Sequence, residues 1–432
     1  MANNLSSNTS QKVLRKFLPK FESDQVTCKT VNTSIISDGD LNPTTGSTIS
    51  VKRPTQAQAF RSADGDMTGN NSPVISGKAS AVVQDYITVP IESSDVEQAL
   101  ESDQWEELIG PASERIVTEL ETSLNDFILE NSSHLLGTPG TQISKWSDVS
   151  EVNAFMQAIG VPNAGRYAQI NPYGQVGLAD AQAGLSSGSN DLVDSAWKQA
   201  TITRNFGGLQ AYTSNALNSH TAGNQVGNAG ITASANPVQT YASTKDTYTM
   251  QVALTGLTVT TGTILPGDVI RVTAASGSVD WLNQQTKQPF TNELGAFVKW
   301  TGTVVTGGTA DGSGNLTVVV TGPSIFDAAA PAYNSVTQAI ASGDQIEVIT
   351  AALASGVTQP NLFYHKDAFG LCSVKLKPLK GWDSTVVNHK GFSIRLTNFS
   401  DATKNTHGWR FDLLPAFAAF NPYMAGRFFG KP

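Results

Sequence analysis

The sequence predicts an α+β chain of several domains, one of them a strand-rich domain inserted into another. Three observations carry this. The stretch Gly110–Asn131 places Ile116, Val117, Leu120, Leu124, Phe127 and Ile128 at steps of three and four, one side of a helix. Between about Gly223 and Thr350, β-branched runs follow one another with Gly, Pro or Asp turns between them. Mixed helix and strand patterns lie on both sides of that stretch, and 432 residues exceed one typical core.

The elements can be read in chain order. In SQKVLRKFLPKF (10–21), Val13, Leu14, Phe17 and Leu18 make a short apolar stripe beside Lys12, Arg15, Lys16 and Lys20, and Pro19 is expected to end the helix. So short a helix needs a docking surface, on its own body or on a neighbour. Residues 36–92 then read as a long hairpin: a strand at 47–54, a polar tract from Thr55 to Ser76, and a returning strand at 78–92. A polar excursion of that length is unusual in a compact monomer and is often functional. Ser94-Asp95-Val96-Glu97 is a capping box for a first helix, which Gly110-Pro111 should break. Pro111 then suits the first position of the long helix, with Glu114, Glu119, Glu121, Asp126 and Glu130 on its other faces. That helix has no partner helix nearby in sequence and suggests a rod lying across a sheet.

Residues 146–224 read as mixed, with a helix through Val149, Val152, Phe155, Met156 and Ile159, a strand at 166–172, a helix near 173–185 and a strand at LQAYTSN. Strand candidates follow at 250–262, 267–275, 295–308, 315–322 and 343–353, a spacing that suits a small barrel or sandwich. Mixed character returns in residues 354–432. A C-terminal stretch as apolar as GWRFDLLPAFAAFNPYMAGRFFG must pack into the body.

Composition narrows the function. Charged residues are only 15% of the chain and the net charge is −8, with no Lys/Arg block of nucleic-acid-binding density. No apolar run reaches membrane-spanning length, and MANNLSSNTSQK lacks the order of a signal peptide. Cys28 and Cys372 are far apart in sequence and fit a reducing cytoplasm. The five histidines form no zinc pattern. Asp38, Asp40 and Asn42 imitate the start of a calcium loop, but Pro43 stands where glycine is needed and Ile49 where a glutamate should close it. There is no phosphate loop and no Gly-x-Ser-x-Gly elbow. Asp64 and Asp66 sit in a Gly-rich setting that lacks the desolvation needed for acid/base work. No catalytic, cofactor or metal residues are expected.

Several stretches together resemble the major capsid (coat) proteins of short-tailed, lambdoid-type phages of enteric bacteria, above all that of a Shigella phage. They are SQKVLRKFLPKF, SVKRPTQAQAFRSADGDMTG (50–69), ISGKAS (75–80), RIVTELETSL (115–124), ISKWSDV (143–149), LADAQAGL (178–185), NFGGLQA (205–211), WLNQQTKQ (281–288), PNLFYHK (360–366) and RFDLLPAFAAFNPYMAGRFFG (410–430). The resemblance implies the Hong Kong 97-type capsid fold. Residues 1–35 would be an N-terminal arm, 36–92 the extended loop and 93–145 a peripheral domain with its spine helix. Residues 146–224 would begin the axial domain, 225–352 would be an inserted β-barrel domain, and 353–432 would return to the axial and peripheral domains. It implies hexamers and pentamers of an icosahedral shell around double-stranded DNA, a scaffolding protein and a portal during assembly, and later expansion. It implies no cofactor, no membrane, and neither a cross-linking Lys–Asn pair nor a cleaved N-terminal domain. The inter-subunit contact candidates are Lys12, Arg15, Lys16 and Lys20 in the arm, and Lys52, Arg53, Arg61, Asp64 and Asp66 in the hairpin. Asn236–Thr249, with only Lys245 and Asp246 charged, is a poor candidate for twofold contacts. A competing reading, from the Thr/Gly-rich β region, is a surface fibre or adhesin, which leaves the long helix without a purpose. An unrecognised hydrolase has nothing specific in its favour.

Overall fold

A computed structural model describes residues 14, 17–33, 48–57, 59–68, 73–94, 105–183, 204–235, 237, 239–273, 279–389, 391–401 and 406–432. It is a mixed α+β chain that divides into two compact units. One comprises Met1–Val51, Ser80–Asn125 and Phe369–Ala418, the other Lys52–Ala79, Asp126–Ala368 and Ala419–Pro432.

In the first unit an antiparallel sheet runs in the order Asp383–His389, Phe392–Asp401, Thr406–Leu413, Ile87–Ser94. Its apolar face carries Ile394, Leu396, Phe411 and Leu413, all buried. Leu14, Phe17 and Phe21 recur at helical spacing and are buried with it. The Phe17 ring stacks on Phe411 at 4.7 Å, and Phe21 meets Phe392 edge-on at 5.4 Å. The arm's apolar stripe therefore docks on its own body. Pro19 does not end this helix, because Leu14 and residues 17–24 are all helical. Burying three large apolar side chains at ~1.5–3 kcal/mol each exceeds the ~3 kcal/mol cost of an interior proline.

Thr48–Lys52 and Lys78–Val83 are neighbours in a second sheet, followed by Pro415–Ala419 and Phe369–Ser373. The hairpin is thus present, but the returning strand expected over 78–92 is two strands. Lys78–Val83 stays in this sheet while Ile87–Ser94 joins the other. The step is at Gln84–Tyr86, where the Gln84 N–H still donates to the Pro415 carbonyl and Asp85 and Tyr86 turn to solvent.

The long helix spans Trp105–Glu130. Ile116, Val117, Leu120, Leu124 and Ile128 are buried as their spacing predicts, while Phe127 is half-buried. Two expectations are corrected. Pro111 lies inside the helix rather than starting it, on an exposed turn where the carbonyl four residues back can turn to water. Glu121 is buried rather than on an outer face. Its carboxylate accepts the N–H groups of Thr27 at 2.7 Å and Cys28 at 3.4 Å, and also that of Val26. Those donors open the short 3-10 turn Thr27–Lys29, whose first N–H groups have no partners within the turn. Of the expected capping box and first helix, 95–104 lie outside the described residues, while Ser94 ends the strand Ile87–Ser94 and Leu108 and Ile109 belong to the long helix, which Gly110-Pro111 does not break.

In the second unit a six-stranded mixed sheet runs His134–Leu136, Ala425–Phe428, Asn361–His365, Arg166–Ile170, Leu209–Thr213, Asn205–Phe206. Helix Trp146–Ile159 buries Val149, Val152, Met156 and Ile159, and helix Pro172–Ala183 buries Leu178, in one core with Phe363 and Phe428. The strand-rich stretch closes into a barrel. Its order is Thr249–Thr255, Leu316–Thr321, Thr301–Thr306, Val269–Thr273, Gln345–Val348, Thr232–Ala233. Each strand sends alternate residues inward, such as Met250, Val252 and Leu254, onto Trp281 and Trp300. The barrel is tied to the segment after the long helix: Thr301 Oγ1 donates to the Ser133 carbonyl at 2.8 Å and Thr303 Oγ1 to that of Ser132.

Candidate functional site

The sequence candidates separate on the structure. Lys12, Arg15 and Lys16 lie outside the described residues. Lys20 is exposed and pairs with Asp24 at 3.5 Å, one helical turn on. Lys52 is exposed at the end of its strand, and every residue from Arg61 to Thr68 is exposed. Within that loop the Asp66 N–H donates to Asp64 Oδ1 at 3.1 Å. Asp66 Oδ1 in turn accepts the Thr68 hydroxyl at 2.6 Å and its N–H at 2.9 Å. These Thr68 bonds hold the Asp66 carboxyl below the usual carboxylate range. Among the described residues, no ion pair within the chain neutralises Lys52, Arg61, Asp64 or Asp66.

Arg53 is a correction. It was grouped with the exposed hairpin charges, but strand alternation turns it inward, and it is 5% exposed. Its Nε donates to the carbonyls of Lys78 at 3.2 Å and Lys245 at 3.1 Å. Its two Nη atoms reach the carbonyls of Phe420 and Ala419. The guanidinium lies 4.2 Å from the centre of the Tyr248 ring. Around it, Tyr241 stacks on Tyr333 at 4.2 Å, and Tyr248 meets Tyr423 at 5.4 Å. Residues this far apart give no local sequence signal of their meeting. The alternation through STISVKR was the one legible hint that Lys52 and Arg53 face opposite ways.

The remaining chemistry is inert. Cys28 and Cys372 are free and buried, and burial pushes the Cys372 thiol up to about 12. His134 is buried against Phe155 and Trp281, with Nε2 3.0 Å from the Tyr423 carbonyl, and burial pulls its pKa down to about 3. Among the described residues no group of His, Cys, Asp and Glu could hold a metal ion, and no helix is long and apolar enough to cross a membrane. A cleft of about 920 Å³ beside the barrel is floored by Leu136, Phe155, Phe290 and Val298. The charges at its rim are paired within the chain, Arg271 with Glu347 and Lys431 with Glu151 and Glu293. Among the described residues, Arg61–Thr68 is an exposed polar segment whose charges have no ion-pair partner.

Comparison with known proteins agrees. Residues 1–430 match the family described as P22 coat protein, gene protein 5. The chain is 42% identical, over the full length of both, to the major capsid protein of Acyrthosiphon pisum secondary endosymbiont phage 1. Looser likenesses are to solved structures of Mycobacterium phage Che8 and of the mature capsid of bacteriophage PhiM1. The Che8 chain is 11% identical with a TM-score of 0.42, covering 94% of this chain and 90% of that one. The PhiM1 chain is 8% identical with a TM-score of 0.40, covering 89% and 82%. A match along essentially the whole sequence, with a 42% identical relative spanning both full lengths, leaves one conclusion: the chain belongs to the P22 coat protein family.

Proposed function

We propose that this major capsid protein tiles an icosahedral shell as hexamers and pentamers, enclosing the double-stranded DNA of a short-tailed, lambdoid-type enteric phage. In this reading the shell assembles in the bacterial host cytoplasm around a scaffolding protein and a portal, and expands as DNA enters. The carrying observation is the excursion between the paired strands Thr48–Lys52 and Lys78–Val83. It stays exposed from Arg61 to Thr68 and carries charges with no ion-pair partner among the described residues. A compact monomer has little use for such a loop, whereas a tile can lap a neighbour with it.

Residues 1–35 serve as arm, 36–92 as extended loop, 93–145 as peripheral domain and 146–224 with 353–432 as axial and peripheral parts. Residues 225–352 are the inserted barrel domain. Lys52, Arg61, Asp64 and Asp66 are the loop's contact residues, and Lys12, Arg15, Lys16 and Lys20 those of the arm. Each exposed pair contributes ~0–1 kcal/mol, so cohesion comes from many contacts acting together. The net charge of −8 suits DNA that is confined rather than gripped. The family is one of structural capsid proteins, not of enzymes.

Expressed with its scaffold, the chain should form shells of megadalton mass, and a small oligomer would count against the reading. The combined variant Arg61→Glu/Asp66→Lys should lower shell yield or heat resistance. Unchanged shells would remove the loop charges from the argument. Scaffold binding that ignores salt would do the same for the arm's basic residues.

A further inference from the structure

We infer that Arg53 is a positioning residue that fastens the root of the 53–77 loop to the inserted barrel region, so that this region sets the direction in which the loop leaves the body. The reasons lie in what surrounds the root. Asp246 acts on this guanidinium only through space, and its hydrogen bonds go to main-chain carbonyls from three separate segments, at Lys78, Lys245 and Ala419–Phe420. Only a planar fork can serve several carbonyls and lie over a ring at once; a lysine cannot.

The ring beneath it is held at a conformational cost. Tyr248 is a bulky residue at φ 56°, in the left-handed region that such side chains avoid. Its N–H donates to the Thr244 carbonyl at 2.8 Å, which keeps it there. The strained backbone delivers the Tyr248 ring to within 4.2 Å of Arg53.

The returning side of the loop is fastened to the same region by different atoms. The Arg53 N–H donates to the Gly77 carbonyl at 2.8 Å, closing the root. The Ile75 N–H donates to the Tyr333 hydroxyl at 3.3 Å and the Lys78 N–H to Asp246 Oδ1 at 3.1 Å. At Gly77 a Cβ would stand 2.6 Å from the Lys245 carbonyl oxygen, so only glycine allows this approach. Both ends of the loop therefore meet at one turn, residues 245–248, while its middle stays exposed. A loop fixed this way presents its charges along one direction, and less ordering entropy is lost on contact.

The test uses the full-length, purified, unassembled chain, so its outcome is independent of whether the loop laps a neighbour in a shell. Hydrogen exchange is followed at Arg53, Ile75 and Lys78 and in the barrel strands Thr249–Thr255 and Leu316–Thr321. In Arg53→Met the three root amides should exchange about tenfold faster while the barrel strands keep their protection. Arg53→Lys should restore little of it. Gly77→Ala, which lacks any change at Arg53, should loosen the same three amides. Root protection unchanged in either Arg53→Met or Gly77→Ala overturns the inference. Barrel strands that lose protection to the same degree also overturn it, because Arg53 is then a support of the barrel core. Failure of both variants to fold is read the same way.

Discussion

Removing the Asp412 carboxylate should cost far more than removing the arginine on its exposed side. Asp412 is wholly buried and faces Arg395 across the strand pair. Its Oδ2 accepts Arg395 Nε at 2.9 Å and Nη2 at 2.6 Å. Its Oδ1 accepts Arg410 Nε at 2.6 Å and the Thr88 hydroxyl at 2.8 Å. In Asp412→Ala the buried Arg395 cation keeps, among the described residues, only the Lys377 carbonyl, at 3.2 Å. An uncompensated buried charge of that kind costs ~3–5 kcal/mol. Arg410 has a side chain 43% exposed, so Arg410→Ala should cost only ~0.5–1 kcal/mol. The double variant Arg395→Met/Asp412→Leu removes both charges and should lie within ~1–2 kcal/mol of the parent. Because the chain has two compact units, a single global transition does not isolate this sheet. Hydrogen exchange of Phe392–Asp401 and Thr406–Leu413 does. Equal costs for Asp412→Ala and Arg410→Ala, or a double variant as weak as Asp412→Ala alone, would refute the reasoning.

Two further outcomes are expected. His134 titrates at about 3 in the folded chain against an ordinary 6.5, so the folded state binds fewer protons than the unfolded one between those values. Stability is therefore complete above pH 6.5 and is lost as pH falls, by about 2 kcal/mol at pH 5. Unfolding followed against pH in His134→Gln, whose amide nitrogen can take the place of the imidazole Nε2 at the Tyr423 carbonyl, should lose that slope. Pro111→Ala should restore a helical hydrogen bond inside Trp105–Glu130, a gain of up to ~3 kcal/mol less ~0.4–1 for the freer unfolded chain. Thermal unfolding should therefore shift upward, and a lower melting temperature would show that the helix needs proline there.

The apolar side of the long helix was legible because 3.6-residue periodicity is a local property, and five of its six expected positions are buried. The main barrel strands were legible for the same reason at period two. The closing strand Thr232–Ala233 is too short to carry a pattern. Glu121 was misplaced because a carboxylate on a helix reads as solvated, and its backbone donors at 26–28 lie more than 90 positions away. Arg53 is misplaced by the sequence because its carbonyl partners, from Lys78 to Phe420, have no sequence signature, since every residue has a carbonyl. Local sterics mark Pro19 and Pro111 as boundaries, but burial of the apolar stripe overrides the first and an exposed turn tolerates the second.

The strand Ala425–Phe428 sits between His134–Leu136 and Asn361–His365, pairing parallel to the first and antiparallel to the second. An interior place in that sheet is therefore filled by residues that follow the whole of the barrel in the chain. The barrel, made wholly of residues 232–348, can close earlier. A nascent chain thus carries a finished barrel while the sheet beside it still has a gap, and a prematurely terminated chain can never fill it. Order of synthesis becomes a form of proofreading, in which only chains translated through Phe428 present a completed sheet.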